Sequence, residues 1–182
     1  MSRSSSSSVL VALLAAGVGA CEATPVDPTT STEAGLEEVR TATSSTQGAV
    51  LAALRAATAR YHLVETAIAD GYVPVTPCIP SEGIHYAKFP LLDGTLDPVR
   101  PEQLLYEPLP DGSLRLAGIL FLVPASAWDP FHSEPPMFGQ QPLVDRRSPP
   151  FGAPFPNYAL FVWSWLHNPE GIYVQLNPRL SC

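Results

Sequence analysis

His85 and Glu107 are the two residues whose types and predicted positions best suit acid–base or metal chemistry. His85 follows a glycine at the predicted start of a strand, and Glu107 lies in the next predicted strand. An imidazole and a carboxylate on neighbouring strands provide half of a metal site or a proton-transfer pair. The alternative, which is the more frequent arrangement, is that His85 satisfies a backbone group and Glu107 caps a loop. Both residues are therefore candidates, and the sequence does not decide between a metal or acid–base role and a structural one.

The other three histidines have less suitable neighbours. His62 and Glu65 are three residues apart on a predicted helix, a spacing more typical of a surface pair than of two metal ligands. His132 and His167 lie in predicted loops, with no acidic residue at ligand spacing. We interpret both as surface or turn residues.

Aromatic side chains provide a second kind of candidate site. Phe161, Trp163 and Trp165 alternate along a predicted strand and are therefore expected to share one face of it. Such a face can stack against a sugar or an extended peptide, so Trp163, Trp165 and Tyr86 are the candidate ligand-binding residues. The alternative is a hydrophobic core whose other wall is the long helix. A domain with a single long helix favours this alternative.

The first residues have the pattern of an export signal that ends in a lipid anchor. The apolar run of residues 9–17 is too short to span a bilayer. Residues 18–21, Val-Gly-Ala-Cys, resemble the lipobox of bacterial lipoproteins. This resemblance implies a signal peptide over residues 1–20 and a diacylglyceryl group on Cys21, which would hold an exported protein on a membrane of the cell envelope. The alternative is an ordinary secretory signal that leaves Cys21 as a spare thiol.

Two further cysteines, Cys78 and Cys182, complete the set of three. In an exported chain, two remaining cysteines most simply form one disulfide, which here would fix the extreme C-terminus. The alternatives are free thiols at both positions, or pairing of Cys21 with one of them.

Composition and charge indicate one packed domain on a polar tether. The chain has 182 residues, a net charge of −7, 21 prolines and 46% hydrophobic residues. With Lys88 as its single lysine and no basic patch, the sequence argues against a nucleic-acid partner. Residues 21–45 are rich in Thr, Ser, Pro and Glu and are expected to form a disordered tether. Residues 46–182 are expected to form a single domain.

Hydrophobic periodicity predicts an α+β fold. Apolar residues in alternating steps of four and three predict one long helix over residues 47–70, ending at Gly71. Strands are expected over residues 84–89, 102–109, 114–123, 158–166 and 172–176, with a hairpin turn at 110–113. Residues 124–157, rich in proline and aromatic residues, are expected to form a functional loop or a wrapping arm. The predicted architecture is one long N-terminal helix packed on a small antiparallel sheet, with long Pro-rich loops.

Several short motifs resemble a family of uncharacterised exported bacterial proteins. The resemblance covers residues 61–182 and rests on residues 61–72, Cys78, Gly-Ile-His-Tyr at 83–86, Leu-Asp-Pro at 96–98, Pro-Glu-Gln-Leu-Leu-Tyr-Glu at 101–107, Phe-Gly-Gln at 138–140, Val-Trp-Ser-Trp at 162–165, Asn-Pro-Glu-Gly at 168–171, Asn-Pro-Arg at 177–179 and Cys182. It implies no activity or cofactor. Members of that family often carry histidine where this chain has Phe161, which implies that a site built from that position, His85 and Glu107 would lack one member here.

The signatures of common enzyme classes are missing. The sequence contains no Gly-x-Ser-x-Gly, His-Glu-x-x-His, Gly-rich phosphate loop or Cys-x-x-Cys. We therefore expect a binding module in the envelope, with a small molecule or peptide as ligand and no cofactor. A metal-dependent enzyme using His85 and Glu107, or a purely structural envelope protein, are the alternatives.

Overall fold

The computed structural model describes residues 28–147 and 153–182. Residues 1–27, which include Cys21, and residues 148–152, which include Phe151, lie outside the described part of the chain. The predicted α+β class is confirmed. A long N-terminal helix, α1 (Pro28–Thr58), packs against one face of a six-stranded antiparallel sheet. A 3₁₀ turn (Ala59–His62) and a short helix, α2 (Val64–Ala69), follow it.

The helical region is longer and more divided than the periodicity predicts. Helix α1 starts at Pro28, inside the segment expected to be a tether. The described side chains of residues 35–46 are exposed, so this part of the helix depends on local backbone bonds rather than on packing. Leu63 is extended, with φ −92° and ψ 109°, and separates the 3₁₀ turn from α2. Gly71, at φ +92°, follows the end of α2, where the sequence predicts the helical region to stop.

The strands of the sheet are β1 (Val73–Pro74), β2 (Ile84–Ala87), β3 (Gln103–Pro108), β4 (Leu114–Pro124), β7 (Val144–Arg146) and β8 (Asn157–Val162). Their order across the sheet is β1-β2-β3-β4-β8-β7. Between β4 and β7 lie one turn of helix, α3 (Ala125–Trp128), and a small hairpin of β5 (Met137–Phe138) and β6 (Gln141–Pro142). The predicted strand over residues 172–176 is wrong, because this stretch forms turns.

The β3–β4 hairpin has the turn that its sequence predicts. Gly112 adopts φ +84°, and the Asp111 carboxylate accepts hydrogen bonds from the backbone N–H and hydroxyl of Ser113. Further along the pair, Leu105 lies opposite Gly118, whereas Tyr106 lies opposite Leu116. This irregularity leaves one extra residue on β4, which is the pattern of a β-bulge.

Both faces of the sheet are buried. Leu54 of α1 packs on the first face together with Tyr106, Ile119, Phe121 and Leu160. The second face is covered by the C-terminal segment and by the end of the proline-rich loop. Its buried cluster consists of Leu105, Ala117, Leu120, Leu122, Ala159, Phe161, Trp163 and Leu180, with Ala153 and Phe155 packed against it. The predicted Cys78–Cys182 disulfide is present and ties this C-terminal cover to the start of the sheet.

Substitution of Gly118 by alanine is expected to cost about 1–3 kcal/mol of stability because of overpacking. A Cβ atom at this position would lie 2.9 Å from Trp163 Cε3 and 3.1 Å from the Val162 carbonyl oxygen. Gly48→Ala in α1 is the matched control, since nothing lies within 4 Å of its Cβ position and alanine favours a helix. Urea denaturation measures the free energy of unfolding of both variants. If Gly118→Ala unfolds at the same urea concentration as the parent, the close approach of Trp163 to β4 is wrong.

Candidate functional site

His85 is buried on β2 and faces polar partners on two sides. Its Nδ1 lies 2.9 Å from Gln103 Oε1, and its Nε2 lies 3.3 Å from Glu82 Oε2. The second approach is an ion-pair distance without hydrogen-bond geometry, so Nε2 has no hydrogen-bond partner among the described residues. The acidic neighbour of His85 is therefore Glu82, which comes three residues earlier in the chain.

Glu82 belongs to a chain of polar contacts that crosses the second face of the sheet. Gln175 Nε2 donates to Glu82 Oε1 at 2.7 Å, and Arg146 Nη2 donates to Gln175 Oε1 at 2.9 Å. Burial raises the pKa of Glu82, but the contacts with His85 and Gln175 and the charge of Arg146 outweigh it and bring the pKa below its ordinary value. The carboxylate is thus ionised and held by neighbours on three segments.

Glu107 fastens the C-terminus. Its Oε2 accepts from Arg115 Nε at 3.0 Å, and its Oε1 accepts from the backbone N–H of Ser181 at 3.1 Å.

His85 and Glu107 do not meet. Within residues 28–147 and 153–182, no hydrogen bond or ion pair joins them, and no three His, Cys, Asp or Glu side chains are grouped to hold a metal ion. The structure thus brings the predicted pair to neighbouring strands but gives each residue separate partners. Phe161, the position suggested by the family resemblance, lies near His85, with 6.2 Å between ring centroids.

The three predicted ligand-binding aromatics do not form one surface. Tyr86 lies on the first face of the sheet, against Tyr106. Trp163 is buried on the second face, and its Nε1 donates to the Val174 carbonyl at 2.6 Å. Trp165 packs toward the first face, so the prediction that Trp163 and Trp165 share a face is wrong. The reason is that β8 ends at Val162, after which the backbone no longer alternates as a strand.

The two tryptophans nevertheless meet at one cavity, which we name the indole pocket. It has a volume of about 520 Å³ and is lined by Arg55, Trp163, Ser164, Trp165, His167, Asn168, Pro169, Gly171 and Ile172. The backbone of Trp165 is fixed by a bond from its N–H to the Ala117 carbonyl at the β-bulge. Its indole Nε1 donates to Thr58 Oγ1 at 3.3 Å, at the end of α1. The sequence motif Val-Trp-Ser-Trp indicates the aromatic residues of this pocket, but not Arg55.

A larger and more open cavity, which we name the loop groove, lies between residues 94–96 and residues 128–137 of the predicted proline- and aromatic-rich loop. Its volume is about 760 Å³, and it is lined by Gly94, Thr95, Leu96, Trp128, Phe131, His132, Ser133, Glu134, Pro135 and Met137. The rings of Trp128 and His132 stack with centroids 3.6 Å apart and planes 13° apart. Beside them, Phe131 is 81% exposed and Met137 is 48% exposed.

Hydrogen bonds within the loop fix the ring pair of the groove. Trp128 Nε1 donates to the Glu134 carbonyl at 2.8 Å, and His132 Nδ1 lies 3.1 Å from the Trp128 carbonyl. Asp129 ties the same segment to the sheet by accepting from the Tyr158 hydroxyl at 2.7 Å. Sequence reasoning places His132 on the surface but misses its stacking. Because α3 ends at Trp128 and His132 lies beyond it, no helical periodicity in the sequence indicates the stacking.

No protein-family model, curated protein or solved structure matches this chain. In the part of the chain that the structure describes, no helix has the length and hydropathy needed to span a membrane. The family resemblance, the lipid anchor and the ligand accordingly stay predictions. The loop groove and the indole pocket are two candidate sites among the cavities of the described residues.

Proposed function

We propose that this protein is an exported binding protein of the bacterial cell envelope, held on a membrane by a lipid on Cys21, which takes a small molecule or peptide in the loop groove. The lipobox-like residues 18–21 support the anchor. The observation that carries the binding function is the stacked Trp128–His132 pair beside exposed Phe131 at an open cavity.

The loop groove leaves apolar side chains exposed to water around one concavity. Single exposed apolar residues are normal on a protein surface. Several aromatic or thioether side chains around one concavity, with polar groups among them, are instead typical of a ligand site. Because hydrogen bonds already fix Trp128 and His132, binding orders few side chains and loses little conformational entropy.

The charges that line the groove restrict the ligand. Glu134 and the imidazole of His132 are its titratable lining groups, and no lysine or arginine is among the lining residues that the structure describes. A negative charge complements a positive ligand and repels a negative one. The groove therefore suits a neutral or cationic ligand with an aromatic or apolar surface to stack on Phe131 and Met137.

The test is ligand binding to the purified full chain, with cell-wall saccharides and short peptides as probes. The chain has three tryptophans, and only Trp128 lines the loop groove within the described residues. We expect a binding probe to shift the indole N–H signal of Trp128 in an NMR spectrum. Phe131→Ala should weaken that probe by about tenfold or more, equal to about 1.4 kcal/mol.

Phe89→Ala is the matched control, because Phe89 is 60% exposed and lies outside the groove. It should bind the probe as the parent does. Failure of every probe to shift the Trp128 signal, or equal binding by Phe131→Ala and the parent, would remove the groove as the binding site.

A further inference from the structure

We propose that the indole pocket is a second binding site, which takes an organic anion with an apolar body and a carboxylate. The proposal rests on the juxtaposition of the Arg55 guanidinium, two indoles and an unpartnered buried hydroxyl at one cavity. It concerns a different surface and the opposite charge from the loop groove, so the two sites can be tested separately.

Arg55 gives the indole pocket a positive charge. Arg55 projects from α1, and its Nε donates to the Ser164 carbonyl at 3.0 Å, which places the guanidinium at the pocket wall. Among the described residues, no carboxylate forms an ion pair with Arg55. His167, exposed in the lining, provides a second N–H donor. In a chain of net charge −7, a planar guanidinium without an acidic partner is suited to a carboxylate, which it can bind through two N–H groups.

One wall of the indole pocket is apolar. Trp163 and Trp165 line the cavity together with Pro169 and Ile172. Both indole N–H groups already donate inside the protein, to the Val174 carbonyl and to Thr58 Oγ1. Neither indole N–H is therefore free for a ligand, and because Trp163 is almost fully buried, most of the apolar ring surface at the cavity belongs to the partly exposed Trp165. A ligand that matches the pocket has an apolar body against the rings and its anionic group at Arg55.

The Ser164 hydroxyl is a buried polar group at the indole pocket. This residue lines the pocket and is 7% exposed, and its Oγ has no hydrogen-bond partner among the described residues. A buried hydroxyl without a partner costs about 1–3 kcal/mol, so its presence calls for an explanation. A serine hydroxyl turns about χ1 and can donate to a carboxylate oxygen. A bound carboxylate would supply the partner that the protein does not.

The experiment uses three probes on the purified full chain: phenylacetate, its neutral isostere phenylacetamide, and inorganic phosphate. We expect phenylacetate to shift the indole N–H signals of Trp163 and Trp165 and to leave Trp128 unchanged. Phenylacetamide lacks the charge and phosphate lacks the apolar body, so each should bind at least about tenfold more weakly. No shift up to about 10 mM phenylacetate, equal shifts with phenylacetamide, or a shift confined to Trp128 would overturn the proposal.

Variants then assign the roles. Arg55→Gln should weaken phenylacetate by about tenfold or more, whereas Arg40→Gln removes the same charge from an exposed part of α1 and should bind like the parent. His167→Gln, an exposed substitution that does not threaten the fold, should also lower the affinity. Unchanged affinity in Arg55→Gln or in His167→Gln contradicts the carboxylate site.

Ser164→Ala separates a ligand role from a structural one. Without ligand, the variant should melt no lower than the parent, because it loses a hydroxyl that had no partner. With phenylacetate, its affinity should fall by about threefold or more. A lower melting temperature together with parental affinity would show that the hydroxyl serves the fold and would remove this part of the proposal.

Discussion

Replacing Cys78 with serine is expected to lower the free energy of unfolding by about 4–5 kcal/mol under oxidising conditions. The Cys78–Cys182 bridge joins residues 104 positions apart, and a crosslink across so long a segment removes much of the conformational freedom of the unfolded chain. Urea denaturation of the variant and the parent measures the difference.

In Cys78→Ser, the loss of stability should appear first at the C-terminus. The bridge holds the segment in which Leu180 is buried against the second face and Ser181 bonds Glu107. Amide hydrogen exchange in Cys78→Ser should therefore accelerate at Leu180 and Ser181 before it accelerates in α1.

The matched controls are Cys182→Ser and the double variant. Each removes the same crosslink, so all three should lose nearly the same free energy of unfolding. A double variant that loses twice as much, or a Cys78→Ser chain as stable as the parent, would contradict a stabilising bridge between these two residues.

The stability of this protein is expected to fall, rather than rise, as pH increases from about 4.5 to about 8. The cause is Glu102, which is 1% exposed and directly precedes β3. Burial raises its pKa from 4.5 to about 8; the hydrogen bond from the Leu122 N–H opposes this rise, and the charges of Asp93 and Asp97 add to it.

The direction of this pH effect follows from proton binding by Glu102. Between these pKa values the folded chain keeps the Glu102 proton and the unfolded chain releases it, so rising pH favours unfolding. The decrease should total about 4 kcal/mol and level off above the folded pKa. Urea denaturation at about pH 5, 7 and 9 measures it.

Glu102→Gln is the matched variant, since an amide keeps the acceptor for the Leu122 N–H but has no carboxyl proton to release. We expect it to lose the decrease and to be more stable than the parent above the folded pKa of about 8. Asp111→Asn, at an exposed turn carboxylate whose hydrogen bonds with Ser113 lower its pKa, should keep the parental profile. Identical profiles in the parent and Glu102→Gln would exclude Glu102 as the cause.

Local sequence determined the elements whose conformation depends on near neighbours. The Pro-Asp-Gly-Ser turn at 110–113 contains its own capping carboxylate and its glycine, so the β3–β4 hairpin could be predicted. The same holds for β2, β3 and β4, whose bounds lie close to the predicted ones. The disulfide could be predicted from the cysteine count, because the hypothesis of a lipid on Cys21 leaves Cys78 and Cys182 as one pair.

Tertiary structure decided what depends on residues far apart in the chain. Where β8 ends decides which side of the sheet Trp165 packs on. Beyond that end, the backbone N–H groups of Trp165 and Leu166 donate to the Ala117 carbonyl at the β-bulge, a contact between segments far apart in the chain. The partner of His85 is Glu82, while Glu107 bonds Ser181 near the C-terminus, a contact that no local pattern encodes. Arg55 meets Ser164 across 109 positions. The sequence by itself determined strands β2, β3 and β4, the turn at 110–113 and the bridge, because those follow from local backbone preferences and cysteine count. The loop groove and the indole pocket exist only where the packed chain brings distant side chains together.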